Sequence, residues 1–498
     1  MCHISAASRA LSCGPACTAL LRAAFGLAAL LGVFSLVLAG PLEAQRPELS
    51  NQVRQQFVAV DTAVVALVNV RVIDGTGAPA REGQTLVLDD GRIAAMGDAD
   101  AVQVPPDALR LDLSGKSVIP GLVMMHEHLY YPTGPRTYAN LAASFAPLYL
   151  AGGVTSMRTG GNMNGYGELG IRDAIERGKI AGPWVDATAP YLDMAGTGLP
   201  QLHVLEDAAD ARRMVNFWAD AGATSFKAYM NITREALGAA VEEAHARGLR
   251  ITGHLCSVSL AEAAALGIDN VEHAFFTATD FVEEKAPDQC PGQGAGMRAL
   301  ATTGATDPRF TEVVTTLIEH GVALTSTLTV FETFTPGRPM PPGLHVLTPQ
   351  LRELFEARHA STARNANSIY TDLFPHAAAL EVAFVRAGGL LVAGTDPTGG
   401  GGVIPGYANQ RTLELLVEAG FTPLEAIRIT TLNGAISLGR DALVGSLSLG
   451  KQADLVVIDG DPSTTISDIR NVHMVFRQGV GYDPARLIES VAGQVGFF

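Results

Sequence analysis

The chain has 498 residues, of which 47% are hydrophobic and 17% charged, and its formal net charge is −15. That length holds one large domain plus a smaller one, and the composition excludes a disordered or low-complexity protein. The acidic balance and the lack of a basic patch in the sequence speak against a nucleic-acid partner.

At the N-terminus, Arg9 and Arg22 precede an apolar run from Ala23 to Gly40, with small residues such as Ala39 and Ala44 at its end. A positive flank, an apolar core and small residues describe a secretory signal over residues 1–44. The run is 18 residues long, close to the span of a bilayer, so an uncleaved membrane anchor stays open. The expectation is a periplasmic or secreted protein, free or tethered. Cys2, Cys13 and Cys17 all precede the run, which argues against lipid attachment. Beyond residue 44 only Cys256 and Cys290 remain. Whether they pair is open, and Cys256, two residues after His254, reads as a small buried residue.

Residues 60–118 read as short strands and turns, in VALVNVRVIDGTG, QTLVLDDGRIAAMG and LRLDLSGKSVIP. The same texture returns over residues 440–490, in VGSLSLGKQADLVVIDGD and VHMVFRQG. Neither stretch makes a large sheet alone. Together they predict a small composite β-sandwich built from both chain ends.

Residues 119–439 repeat a strand-then-helix pattern, an α/β signature that predicts a (β/α)8 TIM barrel. The eight predicted strands are SVIPGLVMMH, GVTSMRT, WVDATA, SFKAYM, LRITGHL, NVEHAF, VALTSTLTV and GLLVAGTD. Amphipathic helices fill the gaps, as in LEDAADARRMVNFWADAG and REALGAAVEEAHARG, and TPLEAIRITTLNGAISLG closes the series. The 123-residue interval from His273 to Asp396 exceeds two strand–helix units. The surplus predicts long loops around AFFTATDFVEEKAPDQCPGQGAG and FTPGRPMPPGLHVLTP, over the face where substrate selection sits.

Six candidate metal ligands end these strands: His126 and His128, Lys227, His254, His273 and Asp396. An HxH pair on a strand puts both imidazoles on one side, with Glu127 pointing away. Taken singly, each residue has a commonplace alternative: a satisfied core histidine, a snorkelling lysine, a turn aspartate. Their joint placement at strand ends favours one metal centre. Lys227 as an ammonium would be repelled by divalent ions, and it becomes useful as a carbamate formed with carbon dioxide.

These motifs keep their order from about residue 65 to 480, together with EEAHARGLRITGHL, GIDNVEHAF and GSLSLGKQADLVVIDGDP. In them the chain resembles the amidohydrolase superfamily, nearest its imidazolonepropionase-like and Xaa-Pro/Xaa-Arg dipeptidase branch. The resemblance implies two divalent metal ions, and zinc fits this N/O ligation best, with manganese or cobalt open. His126 and His128 would hold one ion and His254 and His273 the other. Carboxylated Lys227 would bridge them, and Asp396 would be both ligand and proton shuttle. Two departures stand out: Met124 occupies a position often held by Asp, and Pro397 and Thr398 replace a common Ala-Gly after the aspartate.

The implied mechanism uses a metal-bridging hydroxide, drawn from water whose pKa falls to about 7. Asp396 passes the proton to the leaving amine. Tyr229, on the strand of Lys227, either donates to the oxyanion or packs. Arg158 and His203 are weaker substrate-contact candidates. The predicted substrate is a dipeptide or N-acyl amino acid, with an aromatic amide within reach. Cyclic-amide hydrolysis or deamination is the enzymatic alternative, and a non-catalytic metal-binding barrel the other. Self-association is a further expectation, because such barrels often form homo-oligomers.

Overall fold

Leu122–Glu127 (β1) opens a series of eight short, largely buried parallel strands. In the computed structural model, which describes residues 46–134, 137–199 and 201–496, Val154–Thr159 (β2), Trp184–Asp186 (β3), Ser225–Ala228 (β4) and Arg250–Gly253 (β5) follow. Asn270–Glu272 (β6), Ala323–Ser326 (β7) and Leu391–Ala393 (β8) complete the set. β3, β2 and β1 pair in one parallel sheet, and β4 to β8 pair in chain order in another. Hydrogen bonds cross both seams. Ala189 N donates to Ser225 O at 2.9 Å, and the amides of Thr395 and Asp396 both donate to His126 O, at 3.1 and 3.0 Å. The strands therefore follow the order and direction of the expected barrel, as arcs of three and five.

Most of the predicted strands are shorter in the structure, and two of them change course. SVIP leaves the barrel for the accessory sheet, where Val118 lies opposite Val457. The seventh strand ends at Ser326, and Leu328–Glu332 turns helical. The Thr327 hydroxyl there contacts His273 Nδ1 at 2.8 Å, and the Thr329 hydroxyl donates to Thr395 O at 2.9 Å. Those bonds hold the chain across the barrel mouth and take it out of the sheet. The closing helical segment contains a π-helical turn, Ile429–Asn433, between Pro423–Arg428 and Gly434–Leu438.

The two chain ends do meet, in one hydrogen-bonded nine-stranded sheet whose far end turns back, with Arg92 bridging Gln452, to enclose a core of its own. Lys116–Pro120 lies antiparallel to Leu455–Asp459 at its middle. Successive side chains of that C-terminal strand serve different cores. Leu455 and Val457 join the core of the small sheet, whereas Val456 and Ile458 join the barrel core. A strand apolar on both faces shows no alternation in its sequence.

The first long loop is partly ordered into helix, at Ala274–Thr277 and Gln293–Leu300. A disulfide joins Cys256 to Cys290, so Cys256 is a cross-link as well as a buried residue. The predicted signal or anchor lies outside the described residues. Among the described residues, no helix is long and apolar enough to cross a membrane.

Candidate metal centre

The ends of β1, β4, β5, β6 and β8 open into one cavity of about 280 Å³. All six predicted ligands line it: His126, His128, Lys227, His254, His273 and Asp396. His126 and His128 face the same way, with their Nε2 atoms 3.2 Å apart. Asp396 Oδ1 lies 3.4 Å from His128 Nε2, and its Oδ2 lies 3.9 Å from His273 Nδ1. The aspartate therefore stands between two imidazole pairs. His254 and His273 form the second pair, edge to face with centroids 4.5 Å apart. Lys227 Nζ is 3.3 Å from His126 Nε2.

Local structure explains the convergence. His273 and Asp396 both adopt left-handed backbone, with φ of 64° and 51°. Such conformations cost about 1–3 kcal/mol in a non-glycine residue and persist where the surroundings impose them. At His273 the consequence is direct. Glu272 and His273 are consecutive and strand alternation would send them to opposite sides, yet both reach the centre. Glu272 contacts His126 Nδ1 from beneath at 2.7 Å, while His273 lines the cavity.

The other ring nitrogens are engaged in ways that aim Nε2 at the cavity. His126 Nδ1 faces Glu272, and His128 Nδ1 lies 2.9 Å from Gly161 O. Burial pushes the His128 imidazole down to about 4 and His254 to about 3, and holds His273 well below the usual range. Burial also lowers Lys227 to about 8. Burial opposes ionisation of Asp396, but the imidazoles of His126, His128 and His273 outweigh it and hold the carboxyl well below the usual range. Imidazole nitrogens beside an ionised carboxylate are the donor set a divalent metal takes. Ligand atoms of His126, His128 and Asp396 lie within 4.8 Å of one another, so the residues present fit a metal.

Two weaker candidates fall elsewhere. Arg158 is buried beneath the centre, donating to Met125 O at 2.9 Å and to Asn270 Oδ1 and Glu272 Oε1 at 2.7 Å each. It supports the floor of the site because its strand position points into the barrel. His203 pairs with Asp210 at 2.8 Å, with its side chain 46% exposed, and is absent from the cavity wall. Tyr229 does line the cavity, stacked on Tyr191 at 4.5 Å and lying 4.9 Å from His254. Glu127 points away, as alternation requires. It accepts from Thr395 N at 3.1 Å and Asn409 Nδ2 at 3.0 Å, which ties β1 to β8.

Sequence reasoning missed Glu272 and Thr327, and gave Thr398 no contact with the aspartate. Glu272 adjoins a predicted ligand, a signal that alternation masked. Thr398, one of the unusual residues after the aspartate, donates its hydroxyl to Asp396 Oδ1.

Comparisons with known proteins agree in scope. An imidazolonepropionase of Symbiobacterium thermophilum is 24% identical over 424 residues, covering 80% of this chain and 87% of the relative. An ochratoxinase of Aspergillus niger is 27% identical over 448 residues, covering 82% and 83%. Among solved structures, a Xaa-Pro dipeptidase with bound methionine superposes with a TM-score of 0.65 at 20% identity, over 84% of this chain and all of that one. A putative prolidase from Bifidobacterium longum gives 0.63 at 24% identity, over 86% and 98%. The profile of the amidohydrolase family matches residues 117–481, and the chain belongs to that family, as a hydrolase of carbon–nitrogen bonds.

Proposed function

We propose that this protein is an exported, binuclear metal-dependent amidohydrolase that cleaves the C–N amide bond of a dipeptide or N-acyl amino acid. One observation carries the reading: six side chains spread from residue 126 to residue 396 line a single cavity. His126 and His128 would hold one divalent ion and His254 and His273 the other, with carboxylated Lys227 between them. Such ions, zinc best matched to these donors, supply Lewis acidity and bring the pKa of a water toward about 7.

The chain's own groups do the rest. Lys227 is 1% exposed, and among the described residues no carboxylate lies within ion-pair distance of it. A buried amine with no carboxylate in direct contact, facing only the more distant Glu272 and Asp396, is suited to becoming the carbamate. Asp396 accepts a proton in the cavity and delivers it to the leaving nitrogen. The Tyr229 phenol, kept protonated by burial, donates to the carbonyl oxygen as charge develops there. Export is supported by the apolar N-terminal run and by the Cys256–Cys290 cross-link, a bond of oxidising compartments.

The test is zinc-supplemented protein assayed for bound metal and against dipeptides, N-acyl amino acids and cyclic amides. Two equivalents of metal and cleavage of a linear amide are expected, with Asp396→Asn losing about 10²–10⁴ in kcat. Metal binding without any turnover, or turnover confined to cyclic amides, overturns the reading.

A further inference from the structure

One wall of the cavity is a continuous aromatic surface. Phe276 and Phe331 stack with centroids 3.7 Å apart and planes within 7°. Tyr370 extends the stack beyond Phe331 at 6.3 Å, and Phe334 meets Tyr370 at 5.5 Å. All four rings line the cavity. Phe331, Phe334 and Tyr370 are only half-buried, so apolar ring area stays uncovered inside a concave site. Keeping such area in water costs about 25 cal/mol per Å², and a ligand that covers it recovers that energy.

The wall adjoins the reacting centre directly. Phe331 meets His273 edge-on at 5.8 Å, and Phe276 sits in the turn that His273 begins. The loop carrying Asp396 also runs against it. At Gly399, φ is +57°, and a Cβ there would stand 2.9 Å from both Phe334 Cζ and Val330 Cγ2. Glycine alone lets that loop lie on the rings. A group seated on this wall is therefore close to both His273 and Asp396.

We infer that the substrate carries an aromatic ring near its scissile amide, and that Phe276, Phe331, Phe334 and Tyr370 form the subsite that selects it. The inference rests on the amide-hydrolase reading and narrows its substrate class to aryl-bearing amides. Flat rings stack on flat rings, whereas a saturated ring of similar size fills the volume without the same geometry. Selection is thus expected both against small acyl groups and, more weakly, against cyclohexyl ones.

The experiment compares matched amides on zinc-supplemented full-length protein. One series places the ring on the acyl side, as N-benzoyl-, N-cyclohexanecarbonyl- and N-acetylglycine. The other places it on the amine side, as N-acetylphenylalanine, N-acetylcyclohexylalanine and N-acetylalanine. In one series the aryl member should exceed the methyl member about 50-fold in kcat/KM, and the cyclohexyl member about 5-fold. Phe331→Leu, and independently Tyr370→Leu, should collapse the aryl-to-cyclohexyl ratio toward unity. Binding of the same compounds to Asp396→Asn, followed by calorimetry, reports the subsite without turnover. Aryl-selective binding with no hydrolysis by the wild type sinks the amidase reading and leaves the subsite standing. Equal treatment of aryl and cyclohexyl members in both series and in calorimetry overturns the inference, even if amides are cleaved.

Discussion

Glu272 Oε2 lies 2.7 Å from His126 Nδ1, and its Oε1 lies 2.7 Å from Arg158. Burial opposes its ionisation, but His126, Arg158 and Lys227 outweigh that and keep the carboxyl well below the usual range. An ionised Glu272 fixes the tautomer of His126, with the proton on Nδ1 and Nε2 free to ligate. Glu272→Gln is expected to weaken zinc about 10–100-fold, measured by competition with a chromophoric chelator. Unchanged affinity would remove Glu272 from this role.

Lys227→Met deletes the amine proposed to become the bridging carbamate. Bound metal should fall from two equivalents to one or fewer, read by elemental analysis. In wild-type protein stripped of metal, zinc should restore activity faster when bicarbonate is supplied. Reactivation indifferent to bicarbonate, with full metal in the variant, would argue for an unmodified lysine.

Glu381, which does not line the cavity, offers a pH test. It is 0% exposed, neither carboxyl oxygen has a hydrogen-bond partner among the described residues, and burial raises its carboxyl from 4.5 to about 8. The folded state therefore holds this proton to higher pH than the unfolded chain. Below about pH 4.5 both states hold the proton, and stability does not change with pH through this group. From about 4.5 to 8 it lowers stability as pH rises, by up to about 1.4 kcal/mol per unit, and above 8 the loss is complete. Glu381→Gln should melt higher than wild type at pH 9 and no higher at pH 5. Parallel melting curves across that range would show that the carboxyl ionises normally.

The Cys256–Cys290 bond closes a loop with a sequence separation of 34 residues, beginning two positions after His254. Opening it by Cys290→Ser is expected to cost about 3–4 kcal/mol, seen as a lowered melting midpoint. Reductant should lower the wild-type midpoint similarly and leave the variant unmoved. A reductant-insensitive wild type would mean that the bond does not form.

Much of the site was legible because its chemistry sits at strand ends. Apolar runs closed by His, Lys or Asp located the six candidates, and period-two alternation placed Glu127 outside. Three things escaped for physical reasons. Alternation failed at His273, where left-handed backbone brings two consecutive side chains to one centre. Arg158 resembled a rim residue because strand length is ambiguous by a residue or two, and the structure turns it into the floor. The aromatic wall gathers residues from a turn, a short helix and a longer helix with no shared spacing. The continuous accessory sheet was unreadable for another reason, since its central strands are apolar on both faces.

Lys116–Pro120 runs into β1 with only Gly121 between them, and a Cβ on Gly121 would stand 2.1 Å from the Thr155 hydroxyl oxygen. The segment bearing His126 is thus a lever whose handle is gripped by Leu455–Asp459, a strand more than 300 residues downstream. A substitution that loosens Leu455–Asp459 is therefore expected to disturb the mount of His126, although no residue of that strand lines the cavity.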